Sequence, residues 1–290
     1  MTGAPPAGAR RGRIAVITGT THGIGRVTAR ELARAGFAVI MLCRDLDAAD
    51  AVRREIERAV PDGDVRALGC DLAAFASVRA AAAAVRVEAP RIDLLVNNAG
   101  MTSARQRLSV DGFELTFATN HLGPFLLTAL LAERMAPGGR IVTVASRAHE
   151  RATLDLGRVR GTQPHYRAVA AYDRSKLANV LHSFALARRL GGGVTVNCLH
   201  PGVVATNLLP RWLRLVKPLF TPVTFDAERG AKTTLHVALA PELAGCTGRY
   251  FDENQRERQA SRLACDVPLQ ESLWAASARW TGAEVLLNGR

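Results

Sequence analysis

Short apolar runs alternate along this chain with longer segments whose apolar and charged residues recur at helical spacing. The runs predict strands at 13–18, 38–43, 64–69, 93–96, 140–144, 194–199 and 249–251. The amphipathic segments predict helices at 24–35, 47–59, 74–87, 112–135, 170–190 and 227–240. This βαβ succession implies an α/β fold: a doubly wound, mostly parallel seven-stranded sheet flanked by helices. Right-handed crossovers would line up the strand C-terminal ends along one edge, where ligands of open sheets bind. Segments 147–169 and 203–225 fit no regular element and follow strands on that edge, so both are candidate substrate loops. Residues 1–12, rich in Pro, Gly and Ala, read as a flexible tail, leaving 13–290 as a single domain.

At 290 residues and 48% hydrophobic content, the chain can bury one large core and is not of disordered composition. Its five cysteines form no C-x-x-C and no metal-ligand spacing, which predicts reduced thiols, a cytoplasmic setting and no metal site. Cys43, Cys70 and Cys198 lie in or beside apolar runs and read as strand-end packing. No unbroken apolar stretch of about 18 residues occurs, so no membrane span is expected. The net charge of +12 raises a nucleic-acid reading. The arginines are spread along the chain beside glutamates, and aromatics are only 5% of residues, so a solvated basic surface is expected instead. Such a surface would weakly steer an anionic ligand.

The first strand runs into Thr18-Gly19-Thr20-Thr21-His22-Gly23-Ile24-Gly25 and then a helix. Gly19 permits a tight turn, Gly23 lets backbone N–H groups approach a pyrophosphate, and Gly25 allows close helix–strand packing. Thr21, His22 and Ile24 belong to the same phosphate-binding turn. The fold expected is therefore a Rossmann fold binding a dinucleotide. The second strand ends Cys43-Arg44-Asp45. An acidic tip would bind the ribose hydroxyls of NAD and repel a 2′-phosphate, whereas the guanidinium fork of Arg44 suits that phosphate. NADP(H) is thus favoured over NAD(H), with His22 as a second phosphate donor. Asp45 is the counter-argument, since it could turn inward or pair with Arg44. Asp71 and Leu72 follow the third strand; Asp71 either accepts from the adenine amino group or caps a helix. Asn97-Asn98-Ala99-Gly100 ends the fourth strand; its two amides and two small residues either allow close backbone approach to a ribose or form a plain turn.

Tyr172 and Lys176 sit four residues apart and so share a helix face. Only three lysines stand among the 38 Lys+Arg, which makes a lysine at this spacing conspicuous. Its charge is expected to lower the phenol's pKa and make Tyr172 a proton donor and acceptor near neutrality. Ser146 ends the fifth strand, from which it can donate to a substrate oxygen. Asn120 lies inside the helix predicted from 112, with Asp111 as its cap and Glu114 as capping-box partner. Pro124 lacks an N–H, so the carbonyl of Asn120 loses its helical partner. That site either holds an ordered water or is merely a kink. Pro201, Gly202, Val204 and Thr206 leave the sixth strand, their backbone facing the nicotinamide carboxamide and the Thr206 hydroxyl near a phosphate.

From about 13 to about 282 the chain resembles the short-chain dehydrogenase/reductases, and within them the retinol dehydrogenase and WW-domain oxidoreductase branch. The branch is indicated by Thr119-Asn120-His121-Leu122-Gly123, by Ala171-Tyr172-Asp173-Arg174-Ser175-Lys176-Leu177-Ala178-Asn179, and by Gly248-Arg249-Tyr250-Phe251. The resemblance implies Tyr172 as general acid/base, Lys176 holding the ribose hydroxyls, Ser146 orienting the carbonyl, and Asn120 anchoring a water that links Lys176 to solvent. Relatives often carry two serines where this chain has Val144-Ala145-Ser146, and Ser146 aligns with the catalytic one. The chain shows no N-terminal membrane anchor of the vertebrate retinol enzymes, so a membrane retinoid is not implied. The expected activity is hydride transfer between NADP(H) and a carbonyl or alcohol. Leu, Trp212, Phe220 and Phe225 in 203–225 suggest a lid over a bulky apolar substrate. A homo-oligomer is an allowed state. The rival reading is a catalytically silent NADP-binding regulator of the same fold.

Overall fold

The computed structural model describes residues 12–202 and 227–283. Eight strands, rather than the expected seven, form one sheet in the order β3-β2-β1-β4-β5-β6-β7-β8. They are β1 (Ile14–Thr18), β2 (Ala38–Cys43), β3 (Val65–Gly69), β4 (Ile92–Asn97), β5 (Met135–Val144), β6 (Thr195–Leu199), β7 (Tyr250–Phe251) and β8 (Glu257–Arg258). All neighbours pair in parallel except the last, a two-residue antiparallel return in which Phe251 faces Glu257. Two residues flanked by charges carry no alternation, which is why β8 left no trace in the pattern. The order reverses at β1 and β4, and this switch point lies between the two halves of the sheet.

The strands are apolar on both faces because helices cover both. Ile14, Val16, Ile40, Leu42, Leu95, Ile141 and Val196 point into one core, with Phe75, Phe117, Phe125, Leu177 and Trp274. Their neighbours Ala15, Ile17, Val39, Met41, Leu94, Val96 and Val142 point into the other, with Leu32, Val52, Ile56 and Val237. The helices are α1 (Gly23–Arg34), α2 (Leu46–Ala59), α3 (Phe75–Glu88), α4 (Leu115–Phe117), α5 (Gly123–Leu131), α6 (Ala168–Arg189), α7 (Ala227–Leu239) and α8 (Val267–Thr281). α8 was not predicted. It is capped by Asp266, whose carboxylate accepts from Leu269 N, and Trp274 on it packs on the Phe125 ring of α5 at 5.2 Å.

The helix predicted over 112–135 differs most. It begins at Leu115, because the Glu114 carboxylate accepts from the N–H groups of Thr116 and Phe117. Asp111 is not its cap: that carboxylate accepts from Phe75 N, at the start of α3. The Pro124 disturbance resolves as a π-helical turn, Ala118–Leu122, joining α4 to α5. β5 starts five residues earlier than expected, since Met135 pairs with Ile92 before the register shifts. The stretch Leu115–Arg134 is long and apolar enough by length and composition to cross a membrane, which the search for unbroken apolar runs passed over. Within the fold 78% of its most apolar window is buried, as a core element is. Segment 147–169 also holds regular structure, two 3₁₀ turns at Arg147–Arg151 and Leu156–Val159. The tail, the loop 203–225 and residues 284–290 lie outside the described residues, apart from Gly12.

Candidate active site

The turn from β1 to α1 is closed by its glycines and by an asparagine from β4. Gly19 and Gly23 take φ of +70° and +59°, the left-handed region that side chains disfavour. A Cβ on Gly25 would lie 2.1 Å from the Gly19 carbonyl oxygen, so only glycine lets α1 meet the turn there. Asn98 Nδ2 donates to the carbonyls of Thr18 and Gly19 at 2.9 and 3.0 Å. Thr18 Oγ1 accepts from the backbone N–H of Asn98 and Ala99. The Asn98 side-chain amide is thus the strut of the glycine turn. α1 opens with His22 in extended conformation, no side-chain cap and no acid in its first turn, leaving its N–H groups open to an anion. Thr21 and His22 bond to one another at the surface, Oγ1 to Nδ1 at 3.0 Å.

At the tip of β2, the two rival residues separate. Asp45 caps α2, its Oδ1 accepting from Ala48 N at 3.0 Å. Arg44 is exposed and has no partner among the described residues. Asp71 Oδ1 accepts from Ala73 N, so this carboxylate oxygen serves a turn, while Asp71 N donates to Ser77 Oγ. Leu72 is buried, and its carbonyl would lie 2.2 Å from a Cβ on Gly123. Burial pushes the Cys43 and Cys70 thiols up, the latter to about 12, so both are inert packing groups.

Beyond the switch point, α6 brings its polar face to the ends of β4 and β5. Lys176 is 3% exposed, and its Nζ donates to the Val144 carbonyl at 2.9 Å. Gly100 faces it so closely that a Cβ there would lie 3.3 Å from Nζ. Burial alone pulls the ammonium down to about 8. Asn120, on the π turn, accepts from Met101 N at 2.7 Å and donates to the Met101 carbonyl and to Ser175 Oγ, both at 2.9 Å. Its side chain is therefore fully engaged by protein and ties α6 to the strand β4 exit. Ser175, which the motif reading passed over, completes that tie by donating to the Tyr172 carbonyl. Its position three residues after Tyr172 was the available signal.

Tyr172 is half-buried, with the Ser146 hydroxyl near enough to its own to favour the ionised form. The expected lowering of the phenol is not the net result. Burial pushes it up, against the nearby Ser146 hydroxyl and Arg151, and Asp173 adds to the rise. The Lys176 ammonium lies 5.7 Å from the phenol ring centroid and donates to Val144 instead. Arg151 forms a two-pronged ion pair with the buried Asp173, 2.7 and 2.9 Å, joining the segment after Ser146 to α6. Pro201 and Gly202 follow β6. Gly202 has φ +77° and donates its N–H to His200 Nδ1. Val204, Thr206 and the lid expected over 203–225 lie outside the described residues.

Residues 13–214 match the profile of the short chain dehydrogenase family. The chain is 39% identical to human retinol dehydrogenase 13 over 285 residues, covering 94% of this chain and 86% of that protein. Among solved structures it resembles a protein from Mycobacterium Paratuberculosis, with TM-score 0.78, 35% identity and coverage of 96% and 95% of the two chains. It also resembles a blue fluorescent protein from a metagenomic library, solved in complex with NADPH, with TM-score 0.68, 30% identity and coverage of 83% and 96%. The chain belongs to the short-chain dehydrogenase/reductase family, in its retinol dehydrogenase-like branch, and is a nicotinamide-dependent oxidoreductase of alcohol and carbonyl groups.

Proposed function

We propose that this chain is an NADP(H)-dependent oxidoreductase of a bulky apolar carbonyl or alcohol, with Tyr172, Lys176, Ser146 and Asn120 as its catalytic set. The observation that carries the reading is Lys176. Its ammonium has three donors and is buried against one acceptor among the described residues, the Val144 carbonyl, on the helix face of Tyr172. Its remaining donors suit the hydroxyls of a nicotinamide ribose. The open start of α1 and the glycine-only contact at Gly25 suit a pyrophosphate in the same way.

NADP(H) supplies the hydride. The chain would hold it with the backbone of Gly19, Thr21, His22, Gly23, Ile24 and Gly25 at the pyrophosphate, and with Arg44 at the 2′-phosphate. Asp71 and Leu72 would border the adenine, Asn98 to Gly100 a ribose, and Pro201, Gly202, Val204 and Thr206 the carboxamide side. Preference for the phosphorylated cofactor rests on Arg44 standing unpaired among the described residues while Asp45 is engaged as a cap. A structural relative solved with NADPH supports it.

Ser146 polarises the substrate oxygen while Tyr172 gives or takes its proton. A phenol raised by burial remains protonated at neutral pH, the state that carbonyl reduction needs. Asn120, its side chain committed to Met101 and Ser175, fixes the floor beneath Lys176. The names of the retinol dehydrogenase relatives and the apolar sequence of 203–225 support a bulky apolar substrate. The five unpaired cysteines support a reducing, cytoplasmic setting. Oxidation of NADPH by the chain over a panel of small and large aldehydes and ketones tests the reading. Tight NADPH binding without turnover across the panel would instead indicate the silent regulator.

A further inference from the structure

The 3₁₀ turn after Ser146 contains a histidine that no part of the proposed chemistry uses. His149 is fully buried, with its ring edge-on to Tyr250 at 4.8 Å. Its Nδ1 lies 2.8 Å from the Ser146 carbonyl oxygen, and its Nε2 lies 3.2 Å from the backbone N of Ser261. A carbonyl can only accept and a backbone N–H can only donate. The ring is thereby held as the neutral tautomer that carries its proton on Nδ1. Burial also disfavours the charged ring, outweighing the Ser146 carbonyl and Glu150, which favour it. A second proton, on Nε2, would point at the Ser261 N–H and break that contact.

Ser146 is gripped from both sides by this arrangement. Its carbonyl accepts from the His149 backbone N–H at 3.1 Å as well as from the imidazole. Its hydroxyl oxygen accepts from Ala148 N at 3.2 Å, leaving the hydroxyl proton free to donate to a substrate oxygen. The same turn ends at Arg151, which is clamped to Asp173 beside Tyr172. On the far side, Ser261 lies between Ala260 and Ala264, both in the core, and Ser261 Oγ accepts from Ala264 N. The 260–264 segment is thus a fixed support that reaches the serine through one ring.

We propose that His149 is a positioning residue for Ser146: its Nδ1–H holds the serine's carbonyl, and the Ser261 N–H serves to fix the tautomer that puts the proton on Nδ1. The proposal rests on the reading of Ser146 as the group that polarises the substrate. It predicts opposite outcomes for two amide replacements. In His149→Asn the side-chain amide can still donate where Nδ1 does, but cannot reach Ser261. In His149→Gln the amide oxygen can still accept from Ser261 N, but the donor to the Ser146 carbonyl is gone. Displacing a reacting group by about an ångström costs on the order of 10²-fold in rate.

The test is steady-state carbonyl reduction by the full-length chain, with NADPH binding measured separately. His149→Gln is expected to lower kcat by roughly ten- to a hundredfold with NADPH affinity unchanged, and His149→Asn by no more than about threefold. In a Ser146→Ala background His149→Gln should cost little more, because the two act as one unit. Equal losses in the two amide variants, or the same loss for His149→Gln with and without Ser146, would overturn the proposal. A second measurement needs neither variants nor turnover. Nitrogen-15 NMR of the wild-type imidazole should show a protonated Nδ1 and a bare Nε2, and the opposite tautomer would overturn the proposal as well. A wild-type chain that shows this tautomer yet reduces no carbonyl would defeat the reductase reading alone.

Discussion

The two ends of the ligand edge are built on opposite plans. At the ends of β4 and β5, polar side chains are engaged within the fold: Asn120 by the Met101 backbone and Ser175, Lys176 by the Val144 carbonyl, and Ser146 by Ala148 N. At the tip of β2, Arg44 stands in solvent without a partner among the described residues, and its neighbour Asp45 is engaged by a helix. The first plan fixes geometry before any ligand arrives, as proton transfer requires. The second leaves a charge free to be matched by a ligand's charge, as discrimination between two cofactors requires. On the proposed reading, chemistry is preorganised at the more buried end, and the cofactor is selected at the exposed one.

The largest effect should come from the buried end. Removing the hydroxyl proposed as proton donor, in Tyr172→Phe, is expected to reduce turnover on the order of 10²–10⁴-fold while NADPH affinity stays within a few-fold. Retained activity in the folded variant would dissolve the contrast, since it would leave the buried end without a chemical task. The buried ammonium should also be visible without substrate. An unfolded lysine keeps its proton to about its ordinary value of 10.5, whereas folded Lys176 loses it near 8. Between these values the unfolded state binds more protons, so this group's contribution to stability rises with pH from about 8 to 10.5, and is lowest below 8. The gain is on the order of 3 kcal/mol. Denaturant unfolding of the apoprotein across that window, beside Lys176→Met, should show the wild type gaining on the variant. A difference that does not change with pH would mean the ammonium is solvated.

The same division governs what could be read before the fold was known. Strands β1 to β6 were legible because strands buried on both faces are continuous apolar runs between helical segments. The placement of the glycine turn, Ser146, Tyr172 and Lys176 along the ligand edge was legible because spacing and strand-end position are local properties. What was missed depends on distant partners. Asp111 reads as a cap for the helix just after it, but its carboxylate goes to Phe75, 36 residues back. That the Asn98 side-chain amide closes the turn of Gly19, 79 residues earlier, has no local signal. The sign of the Tyr172 shift turned on burial, and burial is not a property of a four-residue spacing. His149 is a lone histidine until Ser261 is brought to it, 112 residues on.

At the exposed end the effect should be smaller and selective. Losing a charge-assisted hydrogen bond costs roughly 1.5–3 kcal/mol, so Arg44→Ala should weaken NADPH by about tenfold or more and leave NADH nearly unchanged. Direct titration with both cofactors checks it. Equal weakening of the two would mean that Arg44 serves the turn and not the phosphate.

The smallest effect belongs to Asp45, and it sharpens the comparison most. A carboxylate at this position would govern selectivity if it faced the ribose, but here its Oδ1 accepts from Ala48 N and α2 begins one residue later. As an N-cap it holds one of the helix's otherwise unpaired donors, worth about 1 kcal/mol when replaced by alanine. Asp45→Ala should therefore lower unfolding stability by about that amount, while Asp45→Ser, which also caps, should restore most of it. Neither variant should change the ratio of NADPH to NADH affinity by more than about twofold, because the carboxylate's work is on the helix and its charge lies on the exposed side of the tip, where salt screens it. If Asp45→Ala instead raises NADPH affinity several-fold at unchanged stability, the carboxylate was opposing the phosphate. The exposed end would then be a balance of two charges rather than one free arginine.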